Sequence, residues 1–403
     1  MIKREKYLKK IRPFYDQDLI KVITGIRRCG KSVILMQIME ELKEKGIESE
    51  QIIYINFEFF DYADLTDARA LNDYVENKLK NDKKYYLFFD EIQNVDKWEK
   101  AINSLKAKYS DGVSIFITGS NSDLLSGELA THIAGRYVSF KVYPFTFREV
   151  CCLKGIIDKD KYKLKREFDD YVIWGGMPQR FAMDDISQTR VYLSDVYNSI
   201  VVKDIVERFK IKDLDLFSKI LTYILTTPSQ IFSAESLSNY LLKENKEVSK
   251  ITIYNYLEYM CRALLIHKAD RYDVRGKRIL SGKYKYYLTD LGLGQVINGE
   301  RKKQMGAYLE NIVYNELISR GYDVWVGTLE NGEIDFIATN SSKKAYFQVA
   351  YQLNDGIIDR EFGVYDDIRD NYPKYVISTD TFDFSQNGII HKNIIDWLLE
   401  DED

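Results

Sequence analysis

Gly25-Ile26-Arg27-Arg28-Cys29-Gly30-Lys31-Ser32 is the stretch that decides the fold. It follows the apolar run Leu19-Ile20-Lys21-Val22-Ile23-Thr24 and precedes Val33-Ile34-Leu35-Met36-Gln37-Ile38-Met39. A G-x-x-x-x-G-K-[ST] pattern thus lies between a β-branched strand and a helix, the context in which it cradles phosphate rather than merely turning the chain. Glycines let successive backbone N–H groups point at one phosphate, and the helix behind adds the positive end of its dipole. In that role Lys31 reaches the β- and γ-phosphates of a nucleoside triphosphate and Ser32 offers its hydroxyl to Mg2+. Gly25, Ile26, Arg27, Arg28, Cys29, Gly30, Lys31, Ser32 and Val33 form the expected nucleotide-contacting set.

Behind the loop, helical and strand-like segments alternate as in a parallel sheet with covering helices. Strands are expected over residues 51–57, 84–89 and 113–118. The second, Tyr85-Tyr86-Leu87-Phe88-Phe89, runs into Asp90-Glu91. A buried strand that delivers two carboxylates at its C-terminal end suits Asp90 to the magnesium shell and Glu91 to polarising the attacking water, the alternative being an acidic helix cap. The third strand ends in Gly119-Ser120-Asn121, where Ser120 and Asn121 are candidates for contact with the γ-phosphate or the water, or form an ordinary polar turn. Asn56 is expected to hydrogen-bond Glu91 and restrain it. Arg136, in the stretch 129–136, is a candidate for neutralising charge on the transferred phosphoryl group, in cis or across a subunit boundary, or for a structural salt bridge.

The chain has 403 residues, enough for two to four domains, and its 45% hydrophobic and 30% charged residues fit a soluble globular protein. A net charge of −4 excludes attraction of nucleic acid to the whole surface and leaves only local basic patches. No run approaches the ~20 apolar residues of a membrane helix, so no membrane partner and a cytoplasmic location are expected. The four cysteines and three histidines lack metal-ligand spacing.

Residues 146–215 read as helical, broken by Gly175-Gly176-Met177-Pro178, which suits a lid over the nucleotide with a movable joint or a plain helix connection. Two short helices at 233–241 and 249–260, followed by Arg271-Tyr272-Asp273-Val274-Arg275-Gly276-Lys277-Arg278 and Lys283-Tyr284-Lys285-Tyr286, suggest a winged helix with a basic wing. Glu244, Glu247 and Glu258 near its recognition surface would repel phosphate. In the last hundred residues, Glu310 on a helix and Asp335 on a strand stand in the order of a PD-(D/E)xK nuclease core. Gln348 occupies the place of the third acid and Ala350 that of the lysine, so the nuclease-like site reads as degenerate.

The phosphate loop, Phe89-Asp90-Glu91-Ile92-Gln93-Asn94-Val95-Asp96-Lys97-Trp98-Glu99, Ile117-Thr118-Gly119-Ser120-Asn121-Ser122, Ala134-Gly135-Arg136, Pro144-Phe145 and Trp174-Gly175-Gly176-Met177-Pro178 together resemble prokaryotic AAA-type ATPases with a C-terminal domain of unknown function. The resemblance spans essentially the whole chain. It implies an α/β fold: a P-loop parallel-sheet ATPase core (1–145), a helical lid (146–215), a winged-helix region (216–298) and a restriction-endonuclease-like α/β domain (299–403). It also implies ATP rather than another nucleotide, since the loop reads phosphates and not the base. The expected activity is MgATP hydrolysis driving conformational change, with DNA as the leading partner, a protein partner or a metal-dependent nuclease as alternatives, and a homo-oligomer if Arg136 works between subunits.

Overall fold

The computed structural model describes residues 2–80, 82–125, 135–156, 160–244, 246–276, 278–297, 304–330 and 332–400. The chain forms two compact units, Met1–Tyr143 with Arg262–Leu264, and Pro144–Cys261 with Leu265–Asp403.

In the first unit, five strands lie parallel in the order β2-β3-β4-β1-β5, with β1 Ile20–Thr24, β2 Ile52–Asn56, β3 Tyr85–Asp90, β4 Val113–Gly119 and β5 Tyr137–Lys141. Each of the three later strands expected from the sequence is present within a residue or two of its expected ends. Every residue of β1, β3 and β4 is buried, as continuous apolar strands require when helices cover both faces. Ile53, Ile55, Leu87, Phe89, Ile115 and Ile117 form one core with Leu71 and Val75 of a helix at Ala68–Glu76 and Ile102 and Leu105 of a helix at Trp98–Tyr109. Two charged residues break the pattern, Asp90 at the end of β3 and Lys21 near the start of β1. Lys21 is fully buried, with Nζ 2.7 Å from Ser114 Oγ and 4.7 Å from the centre of the Phe116 ring.

The parallel arrangement brings the C-terminal ends of β1, β3 and β4 side by side, so residues 25–32, 90–91 and 119–121 meet at one rim. Ligands bind at this rim in open α/β sheets.

The second unit holds a mixed sheet of seven strands in the order β12-β11-β10-β9-β8-β6-β7. Its strands are β6 Ile266–Asp273, β7 Arg278–Leu288, β8 Asp323–Thr328, β9 Glu333–Thr339, β10 Lys344–Val349, β11 Lys374–Ser378 and β12 Ile390–Asn393. The two expected short helices are Ala234–Lys243, capped by Ser233 onto the Ser236 amide at 3.2 Å, and Lys250–Arg262. The hairpin read as a separate wing is instead a margin of the large sheet: Arg271, Tyr272 and Asp273 of β6 pair in parallel with Val326, Gly327 and Thr328 of β8. Pairing satisfies the outer backbone groups of β6, and it carries the sheet across residue 298, where the sequence suggested a boundary.

Gly175 and Gly176 serve close approach rather than a loose joint. A Cβ on Gly176 would stand 2.0 Å from the Phe145 carbonyl oxygen. The Gly176 amide donates to Asp290 at 2.6 Å, its carbonyl accepts from the Phe145 amide at 2.8 Å, and Arg180 Nε donates to the Gly175 carbonyl at 2.7 Å.

Candidate nucleotide site

The phosphate loop closes through two left-handed residues, Arg28 (φ 64°) and Gly30 (φ 103°), and Lys31 opens a helix, Lys31–Glu44, of the length that carries a full dipole. Gly30 is needed at that angle, which a side chain would strain. Ile26 and Cys29 turn inward and are buried, anchoring the loop from below. Sequence reasoning missed Arg4. Its side chain is buried, and its guanidinium donates to the carbonyls of Cys29 and Tyr143, both at 3.0 Å, while its amide donates to Gln37 on the helix behind the loop at 3.1 Å. An arginine inside the charged run Lys3-Arg4-Glu5-Lys6 gives no local sign of that role. At the loop's outer side, Arg27 pairs with Glu58 at 3.1 Å.

Lys31 is 4% exposed, and its Nζ lies 3.2 Å from Glu91 Oε1 and 3.2 Å from the Gly25 carbonyl oxygen. Burial lowers the Lys31 pKa most, but the charge and hydrogen bond of Glu91, with Cys29 and Asp90 nearby, together outweigh it and leave the ammonium above its ordinary value. Burial likewise raises Glu91, while Lys31 and a hydrogen bond from Gln93 bring the carboxyl below its ordinary value. Both groups are therefore charged at neutral pH, as a phosphate-binding cation and a general base must be.

Asp90 is wholly buried and accepts from Thr118 Oγ1, from Tyr54 OH at 2.9 Å and from Asn56 Nδ2 at 3.1 Å. Three donors fix its orientation. Asn56 thus binds Asp90 and not Glu91, which corrects the expectation. The reason is the register: Asn56 sits directly opposite Asp90 in the parallel β2–β3 pair, while Glu91 has already turned away with φ 55°. Gln93 holds Glu91 instead.

Ser120 and Asn121 are both 1% exposed at the end of β4, and among the described residues Ser120 Oγ is buried without a hydrogen-bond partner. Such an orphan, with a loop of backbone amides, a buried lysine and a buried carboxylate, fits a triphosphate with its magnesium ion. Ser32 and Asp90 are the residues that would hold the ion, which neutralises charge on the β- and γ-phosphates.

Arg136 is elsewhere. It immediately precedes Tyr137, which pairs with Ile20 at the start of β1, whereas the phosphate loop follows Thr24 at the other end. At about 3.3 Å per residue this puts Arg136 roughly 16 Å from the rim. An action in cis is corrected by this placement; its side chain is exposed. Residues 129–134 of that motif lie outside the described residues.

The second unit also gathers charge. Glu310, on the helix Met305–Ser319, Asp335 on β9 and Gln348 on β10 line one cavity of about 670 Å³ with Glu333 and Glu361. The amide oxygen of Gln348 accepts from the Asp335 backbone N–H at 3.1 Å, so it serves the sheet. A lysine is present after all, from a strand the sequence comparison did not consider: Lys285 Nζ on β7 stands 3.0 Å from Glu310, 2.6 Å from Glu333 and 3.8 Å from Asp335. Tyr287, two residues on and on the same face of β7, donates to Glu310 at 2.7 Å. Burial raises the pKa of both Glu310 and Asp335, and the carboxylates hold Lys285 above its ordinary value against its own burial. Among the described residues no group of three or more His, Cys, Asp or Glu is arranged to hold a metal ion. Here the cluster's cation is the lysine.

Residues 17–151 match the family model of an AAA domain, and residues 165–304 match a domain of unknown function (DUF8612). Over 402 residues the chain is 38% identical to an uncharacterized protein of Haemophilus influenzae, covering 99% of each. The chain belongs to that protein's family. Another relative, uncharacterized protein MJ1544 of Methanocaldococcus jannaschii, is 31% identical over 366 residues, covering 86% of this chain and 78% of the other. Among solved structures, Cdc6p from Pyrobaculum aerophilum is 13% identical with a TM-score of 0.31, covering 77% of this chain and 92% of that one. The AAA match and the parallel sheet behind the phosphate loop make the first unit a P-loop AAA-type ATPase domain. Among the described residues no helix is long and apolar enough to cross a membrane.

Proposed function

We propose that this family member binds ATP with magnesium at the rim of β1, β3 and β4, hydrolyses it, and uses the cycle to change its conformation. The observation that carries this reading is the meeting of Lys31, Asp90, Glu91 and Ser120 at one buried rim. Glu91 takes a proton from water as the water attacks the γ-phosphate, and Lys31 leaves Glu91 for the phosphates. Domains at 1–145, 146–215, 216–298 and 299–403 remain the working division, with a strand pairing that joins the last two. Arg136, exposed at the far end of β5, would act only on a neighbouring copy in a homo-oligomer.

DNA is the first partner to test, because two short helices, Ala234–Lys243 and Lys250–Arg262, precede the hairpin in the order of a winged helix. A specific observation favours the second reading, a nucleotide-dependent switch acting on a protein. Four lysines around the helix pair are matched with acids: Lys219 with Glu244, Lys246 with Asp215, Lys250 with Glu235 and Lys268 with Asp270, all within 3.2 Å. Cations already neutralised release few counterions on meeting phosphate. A metal-dependent nuclease is disfavoured by Lys285 among the carboxylates.

Steady-state ATP hydrolysis by the wild type and Glu91→Gln, with single-stranded and duplex DNA across a salt series, tests these readings. Salt-sensitive stimulation by DNA that vanishes in Glu91→Gln supports DNA coupling. Hydrolysis that needs Glu91 but ignores DNA supports the protein switch, and absence of hydrolysis refutes the ATPase reading.

A further inference from the structure

After Glu91 the chain turns sharply, with φ 55° and ψ 48° at Glu91 and a single 3-10 turn at Ile92–Asn94. A left-handed backbone at a non-glycine residue is a strain that persists where surrounding contacts enforce it. The Glu91 amide donates to Thr118 Oγ1 at 3.0 Å, fixing the turn to β4. The turn folds Gln93 back over the strand ends, where its Nε2 donates to Glu91 Oε2 while Glu91 Oε1 faces Lys31 at 3.2 Å. The base is thus held by two hands, one on each oxygen.

The other end of the Gln93 amide is equally specific. Gln93 Oε1 is buried and has no hydrogen-bond partner among the described residues. It lies against Gly119, where a Cβ would come within 2.6 Å of it. The next residue is Ser120, whose hydroxyl is the other orphan at this rim. Buried carbonyl oxygens without partners are uncommon and call for a functional account. Gln93 Oε1 is one of them, on the amide that grips the carboxylate that would activate water.

We propose that Gln93 is the positioning residue of Glu91, an inference that rests on the ATPase reading and assigns a role to a residue outside the loop and the acidic pair. The phosphates of ATP draw Lys31 off Oε1, and the Gln93 amide keeps its grip on Oε2. The freed oxygen then faces the attacking water in one orientation. The water oxygen bonds to the γ-phosphorus as the bond from that phosphorus to the bridging oxygen breaks. ADP leaves with the bonding pair, and a water proton passes to Glu91 and then to solvent. Gln93 itself touches none of the reacting atoms. Without it, Glu91 would sample other rotamers once Lys31 has left, and proton transfer, which needs hydrogen-bond reach, would be lost in most of them.

The test uses the full chain as wild type, Gln93→Ala and the near-isosteric Gln93→Glu, with thermal melts to confirm folding. Hydrolysis is measured for kcat, KM and pH dependence, and binding with a fluorescent N-methylanthraniloyl ATP analogue. Gln93→Ala is expected to lower kcat by about tenfold or more with analogue affinity within about threefold, since general base catalysis contributes about 10²–10⁴ and only its orientation is lost. Gln93→Glu sets a second carboxylate beside Glu91, and like charges raise one pKa, so the acidic limb of kcat should move up by about one pH unit or more. Gln93→Ala hydrolysing at the wild-type rate overturns the inference, as does an unmoved acidic limb in a folded Gln93→Glu. A wild type without hydrolysis sinks the ATPase reading and this inference with it; a hydrolysing wild type with an indifferent Gln93→Ala sinks only the inference.

Discussion

Lys21→Met should stabilise the first unit and flatten its dependence on pH. Lys21 is fully buried in β1, and burial, aided by the Lys84 charge, lowers its pKa to about 7. A lysine in the unfolded chain titrates near 10.4. Between these values the unfolded chain carries a proton that the folded chain has released, so stability climbs as pH rises through the window and is lowest below it. At about 1.36 kcal/mol per pKa unit, the full rise is about 4 to 5 kcal/mol, of which 2 to 3 falls between pH 6 and pH 9. Methionine fills a similar volume without charge, and Ser114 keeps its own bond to the Tyr15 carbonyl at 2.6 Å. Urea titrations read by Trp98, with the other three tryptophans of the four replaced by phenylalanine, report on this unit. The advantage of Lys21→Met over the parent is expected to shrink by roughly 2 to 3 kcal/mol from pH 6 to pH 9. Equal slopes for the two proteins would refute the buried, largely neutral lysine.

Glu91→Gln should retain analogue binding while hydrolysis falls by about 10²- to 10⁴-fold, measured by phosphate release. Arg4→Ala removes the donors to Cys29 and Tyr143, and an orphaned buried carbonyl costs about 1 to 3 kcal/mol, so analogue affinity should weaken by about five- to hundredfold; an unchanged affinity would show that the loop holds its shape alone. Lys285→Met leaves Glu310 and Asp335 without their cation, while Glu333 keeps Arg271 at 3.9 Å, and should cost about 3 to 5 kcal/mol at pH 8. Because burial already raises Glu310 and Asp335, they take up protons readily, and the loss should be partly recovered at pH 5, checked by thermal melts at both values.

The phosphate loop and the Asp90-Glu91 strand end were legible because each is one contiguous segment whose chemistry is local. Their meeting followed from parallel strands, since such strands deliver their C-terminal ends to one rim. Arg136 shows where that reasoning stops: which end of β5 faces the loop depends on its pairing with β1, which the residues 137–141 do not encode locally. Asn56 was placed at the right rim with the wrong carboxylate, because one residue of register separates Asp90 from Glu91. Gln93 could have been noticed, since it lies two residues beyond Glu91, but its reach backward depends on the left-handed turn at Glu91. Lys285 and Arg4 escaped for a plainer reason. Lys285 meets its carboxylates across 25 to 50 residues of chain, and no spacing rule spans such a gap. Glu310 and Asp335 line one cavity, and the lysine among them comes from the strand assigned to a wing.

The strand order β2-β3-β4-β1-β5 has a consequence for the chain as it leaves the ribosome. β1 is the first strand made, yet its two neighbours in the sheet are the last two of the five. About 117 residues separate Thr24 from Lys141, which at about 5–20 residues per second takes roughly 6 to 23 seconds. Until β4 is complete, about 95 residues after Thr24, the phosphate loop hangs from a strand with both hydrogen-bonding edges open; one edge waits for β5, and the brace between Arg4 and Tyr143 cannot form before then. Birth of the protein is therefore the moment at which its most ligand-ready segment is also its most adhesive one.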